Sequence, residues 1–109
     1  GAAHGGGGSA FVGAAPTQDG RVIFAPRASS NVGIYDVEND TYISGPAHDK
    51  GGDAFIGAAP TQDGRVIFAP FGSSNVGIYD VENDTYTSGP AHDEGGSAFY
   101  LATSFNYFA

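Results

Sequence analysis

The sequence predicts an all-β chain in which four-stranded antiparallel meanders follow one another, and three observations predict it. Residues 11–54 recur as residues 55–98, with 6 substitutions among the 44 aligned positions, and a fixed period of this size marks a repeat architecture. Short apolar runs alternate with clusters of Gly, Pro, Asp, Asn and Ser, as strands do with turns. No segment carries apolar residues at helical spacing over a helical length, so almost no helix is expected.

The second copy shows the elements in order. Residues 54–60 (AFIGAAP) are apolar and small throughout, as in a strand buried on both faces. Thr61-Gln62-Asp63-Gly64 follows, and Asp-Gly between apolar runs signals a hairpin because glycine supplies positive φ. Residues 65–71 (RVIFAPF) form a second apolar strand, and Gly72-Ser73-Ser74-Asn75 is a loop by composition. Residues 76–81 (VGIYDV) mix apolar and polar positions, and Glu82-Asn83 makes the next turn. Residues 84–88 (DTYTS) suit an exposed edge strand, and residues 89–96 return the chain to the next repeat.

This gradient from apolar to polar strands is what a β-propeller blade requires, with its inner strand among neighbours and its outer strand in water. The small Gly57, Ala58 and Ala59 suit the innermost strand, where blades converge. The chain then divides into residues 1–10, the end of an inter-blade connection; residues 11–54 and 55–98, two blade repeats; and residues 99–109, a partial third blade giving an inner strand or hairpin.

The unit DGRVIF, then NVGIYDVENDTY, then a Gly-Pro connection and Gly-Gly, resembles the kelch repeat over both full copies. The double glycine that closes the second kelch strand is Ala25-Pro26 and Ala69-Pro70 here, and Tyr42 and Tyr86 stand at the usual tryptophan. The resemblance implies a propeller that serves as a binding scaffold for proteins, with enzymes a minority among relatives.

Composition narrows the partners. With 12 acidic and 4 basic residues the net charge is −8, which repels phosphate backbones and anionic lipid, so neither nucleic acid nor membrane is expected. Cysteine is absent, which removes disulfides and thiolate metal sites. Methionine is absent too; loss of an initiator before Gly1 or a cut from a longer repeat protein would each explain it.

Two blades and a fragment do not close a ring, and an open arc leaves apolar flanks. The segment 99–109 carries Tyr100, Phe105, Tyr107 and Phe108, and burying each ring is worth about 1.5–3 kcal/mol. The expectation is a ring completed by oligomerisation through these aromatics, as a homodimer first and a homotrimer second.

Consecutive turns of a meander alternate between the two rims of the sheet. The Asp-Gly turns therefore share a rim with Glu38-Asn39-Asp40 and Glu82-Asn83-Asp84. The other rim carries Ser29, Ser30, Asn31, Ser73, Ser74 and Asn75 with the connections around His4, His48 and His92. Ligands are expected on this second rim, at His48, His92 and the two Ser-Ser-Asn loops. A ring of imidazoles could bind Zn²⁺; the competing reading has each histidine bonded within its own loop. Asp36, Glu38 and Asp40 and their copies Asp80, Glu82 and Asp84 could bind calcium or fasten their turns through backbone N–H groups. No recurring nucleophile stands in a defined relation to the histidines, so no catalytic residue, cofactor or metal is expected.

The functional expectation is a non-catalytic scaffold or binding module that assembles into a ring, with a protein or carbohydrate ligand; a multivalent carbohydrate-binding propeller is the alternative. Arg27 against Phe71 is the one drastic difference between copies. It marks a binding rim, an asymmetric contact between blades, or drift at a loop edge.

Overall fold

A computed structural model describes Ala3, His4 and residues 10–92. The expected third-blade fragment and the four aromatics Tyr100, Phe105, Tyr107 and Phe108 lie outside the described residues, as does most of the expected connection 1–10.

Eight strands follow in chain order: β1 (Phe11–Pro16), β2 (Arg21–Pro26), β3 (Asn31–Asp36), β4 (Thr41–Ala47), β5 (Phe55–Pro60), β6 (Arg65–Pro70), β7 (Asn75–Asp80) and β8 (Thr85–Ala91). They form two four-stranded antiparallel meanders, β1-β2-β3-β4 and β5-β6-β7-β8, each inside one copy of the repeat. The described residues contain no helix.

The outer strands run further than the sequence suggests, through Gly-Pro-Ala into the expected connection. Proline survives there because an edge strand does not need every N–H for pairing. A register shift between Asn75 and Gly77 accommodates the extra residue, and the Asn75 side chain bridges it, Nδ2 donating to Gly89 O at 3.0 Å. Asn31 repeats the bond to Gly45 O at 2.9 Å.

The sheets meet through their inner strands. Gly13, at φ 93°, sits in a bulge of β1, and a Cβ built there would lie 2.8 Å from Gly57 Cα. Only glycine permits that approach of two backbones.

The core is one cluster shared by both sheets, and the sheets contribute opposite faces to it. Ile23, Ala25, Val32 and Ile34 are buried from the first sheet; Phe55, Val66, Phe68 and Tyr79 are buried from the second. Their repeat counterparts are only half-buried: Ile67, Ala69, Val76 and Ile78 in one sheet, Phe11, Val22, Phe24 and Tyr35 in the other. Side chains alternate across a strand, so each sheet has one face in the junction and one apolar face turned away from it.

Candidate functional site

The rim that carries the Ser-Ser-Asn loops is built by local hydrogen bonds. Ser29 Oγ donates to Asn31 O at 2.9 Å and accepts from Asn31 N at 3.1 Å, and Ser73 does the same around Asn75. Ser30 O and Ser74 O accept from the backbone N–H groups of His48 and His92, both at 3.1 Å. Thus the connection following each sheet is laced to that sheet's own loop.

His48 is 3% exposed. Its Nε2 donates to Ser29 O at 2.8 Å and its Nδ1 accepts from Lys50 N at 3.0 Å, which fixes one tautomer and occupies both ring nitrogens. The ring stands edge-on to Phe55 at 5.4 Å and to Tyr86 at 6.2 Å, so it joins a carbonyl of the first sheet to the aromatic wall of the second. His92 Nε2 pairs with Ser73 O at 3.0 Å. His4 stands edge-on to Phe11 and Tyr42, as His48 does to Phe55 and Tyr86. The expected ligand residues are therefore brought together with one another, as parts of two repeated loop clasps. Their exposed members are the Ser30 and Ser74 side chains.

Arg27 lies at the junction on this same rim. Its guanidinium carbon is 5.7 Å from the centre of the Phe71 ring, and its Nε donates to Asp53 Oδ1 at 3.2 Å. Gly72 completes the contact: a Cβ there would meet Asp53 O at 2.8 Å. Lys50 Nζ reaches Asn75 Oδ1 at 3.3 Å. Four of the six positions at which the copies differ thus place a residue where the two sheets touch: the equivalent pair Arg27 and Phe71, with Lys50, Asp53 and Gly72. Nothing in the structure explains Ile43 against Thr87, since Ile43 is exposed.

The opposite rim holds the hairpins. In the first, Thr17 Oγ1 donates to Asp19 and accepts from Arg21 N, while Asp19 takes the Arg21 guanidinium, Nη2 to Oδ2 at 2.7 Å. The guanidinium and then the threonine hydroxyl lower the Asp19 carboxyl to about 2. Asp63, held by Arg65 and Thr61, is lowered for the same reasons. Gly20 and Gly64, at φ near 90°, close these turns.

The adjoining acidic turns are likewise internally satisfied. Asp36 Oδ1 accepts from the backbone of Glu38 and Asn39 at 3.1 and 3.2 Å, and Asp80 repeats the pattern. Hydrogen bonds from Asn39 and Asn83 hold both carboxyls below the usual carboxylate range. Asp40 and Asp84 adopt positive φ and accept from the hydroxyls of Tyr35 and Tyr79 at 2.7 Å. Among the described residues no three His, Cys, Asp or Glu side chains are gathered for a metal.

Between the hairpins of the two sheets lies a cleft of about 720 Å³. Its walls are the repeated Pro-Thr-Gln segments, Pro16-Thr17-Gln18 and Pro60-Thr61-Gln62, with Arg21 and Glu82 beside them. Arg21 crosses the junction here, Nη2 donating to Val81 O at 3.4 Å. Tyr79 lies next to it, fully buried, and burial pushes its phenol far above the usual tyrosine range. Sequence reasoning placed ligands on the other rim and missed this cleft. The one available signal was the identical Pro-Thr-Gln-Asp-Gly-Arg segment recurring at the end of each inner strand.

No protein-family model and no curated protein matches this sequence.

Proposed function

We propose that the chain is a non-catalytic, propeller-type binding scaffold that closes a ring with other copies of itself, as a dimer first and a trimer second. The observation that carries this reading is the pair of outward sheet faces. They bear the same apolar residues that are wholly buried at the junction, yet they remain half-buried. Apolar sheet faces left partly in contact with water favour association. The resemblance of the repeat to kelch units supports the scaffold reading, and so does the use of His48 and both Ser-Ser-Asn loops in holding connections. Negative-stain electron microscopy tests it: uniform closed discs are expected, whereas isolated wedges or open filaments would contradict ring closure.

A second reading, a carbohydrate-binding module, is favoured by the cleft between the hairpins. Gln18 and Gln62 supply amide donors and acceptors, the Asp19–Arg21 pair supplies both kinds of charged partner, and Pro16 and Pro60 add apolar lining. Such a wall suits neutral hydroxyl-rich ligands. Retention on immobilised sugars, lost on replacing Gln18 and Gln62 by Ala, is the expected result. No retention on a broad panel removes this reading.

A further inference from the structure

We propose that two copies associate head to tail, the outward face of the second sheet docking on the outward face of the first sheet of another copy. The inference rests on the self-assembling reading and adds its partner, polarity and contact residues. The junction inside the chain is the template. There, the Ile23, Ala25, Val32 and Ile34 face covers Phe55, Val66, Phe68 and Tyr79. The second sheet turns Ile67, Ala69, Val76 and Ile78 outward, and the first turns Phe11, Val22, Phe24 and Tyr35 outward. Each outward face is thus the repeat counterpart of the partner that the other would need.

The polar part of the junction has the same property. Arg21 crosses to Val81 O inside the chain, and Val81 packs against the core. The counterparts are Arg65, which bonds Thr61 and Asp63 of its own hairpin, and Val37, which is 55% exposed. Head-to-tail docking brings Arg65 of one copy to Val37 O of the next. On the other rim, the Arg27 and Phe71 contact recurs in reverse order, Phe71 of one copy meeting Arg27 of the next, so an arginine still faces an aromatic ring.

Val66, Phe68 and Tyr79 fill the internal junction, and a second copy supplies their repeat counterparts Val22, Phe24 and Tyr35. The two faces differ, so the contact is heterologous, and it closes a ring when the rotation from copy to copy sums to a full turn.

Two blocking variants test the polarity by light scattering, with circular dichroism checking that each remains β-folded. Ile67→Asp spoils the outward face of the second sheet and Phe24→Asp that of the first. Each variant alone is expected to be monomeric at concentrations where the wild type is not. Their mixture retains one intact pair of faces and is expected to give a heterodimer of twice the 11.1 kDa chain mass. Two outcomes would overturn the head-to-tail contact while leaving self-assembly standing. One is a mixture that stays monomeric beside an assembled wild type. The other is an Ile67→Asp variant that still assembles. A monomeric wild type overturns both. Should a charge on an outward sheet face prevent folding, Val37→Arg serves at an exposed site by setting like charge against Arg65, and Arg65→Ala removes the crossing hydrogen bond. Each is expected to weaken association by about tenfold; unchanged association contradicts the proposal.

Discussion

The two sheets share nearly the same sequence and bury opposite faces of it. Phe68 and Tyr79 are wholly enclosed in the second sheet, while Phe24 and Tyr35 in the first are half-buried. Conversely Ile23 is enclosed and Ile67 is half-buried. Identical residues therefore do different work according to which side has a neighbour. Burial here is a property of the junction between repeats rather than of the repeat, as expected when stability comes from nearest-neighbour interfaces.

The largest expected contrast is between equivalent truncations. Phe68→Ala should cost about 3–5 kcal/mol in urea unfolding, as for a ring removed from a closed core. Phe24→Ala should cost about half that or less when the protein is too dilute to associate. Equal costs would break the comparison. Raising the protein concentration should then stabilise the wild type and leave Phe24→Ala unchanged.

Glycine substitutions come next. Gly13→Ala forces a methyl group against the Gly57 backbone at a positive φ and should cost about 2 kcal/mol or more. Gly20→Ala has a similar φ but open space around it, so only the backbone preference is lost, about 1 kcal/mol. Thermal unfolding of the two variants checks whether the close approach of the inner strands matters beyond the dihedral angle.

Titration sharpens the contrast between hairpin and core. Asp19 is lowered from 3.8 to about 2 in the folded chain. Folding therefore gains stability from its charged form above the unfolded value and loses it as pH falls through 3.8 toward 2. Asp63, Asp36 and Asp80 shift in the same direction. Acid unfolding should steepen below about pH 4, and Asp19→Asn should flatten that limb. At the alkaline end, Tyr79 is raised above its ordinary 10.0, so its contribution is present below that pH and lost as pH rises above it. Tyr79→Phe should reduce the alkaline loss more than Tyr35→Phe does, measured by absorbance and unfolding together.

The smallest expected effect is at the rim. Arg27→Ala removes an exposed pair with Asp53 and a contact with Phe71, and should cost about 0.5–1 kcal/mol, less in high salt.

The strands were legible in the sequence because Asp-Gly and Ser-Ser-Asn punctuate them at fixed intervals. The role of Asp36 and Asp80 as turn fasteners was among the alternatives open from their position alone. The extension of the outer strands through Pro46 and Pro90 was not legible, since it depends on a bulge bridged by an asparagine in the neighbouring strand. Nor was the buried face of each sheet, because Val22, Ile23 and Phe24 are all apolar and only a neighbour decides between them. The cleft escaped for a related reason: its walls are hairpins 44 positions apart in sequence, joined only when the sheets pack. Arg27 was marked by its difference from Phe71, but that the two touch each other needed the structure.

Apolar sheet faces that one chain leaves half-buried are expected to drive self-association, and the solution mass across a range of concentrations tests this most directly. Multi-angle light scattering is expected to give a multiple of 11.1 kDa that falls toward the single-chain value on dilution. A folded species that stays at one chain mass at every concentration would contradict it.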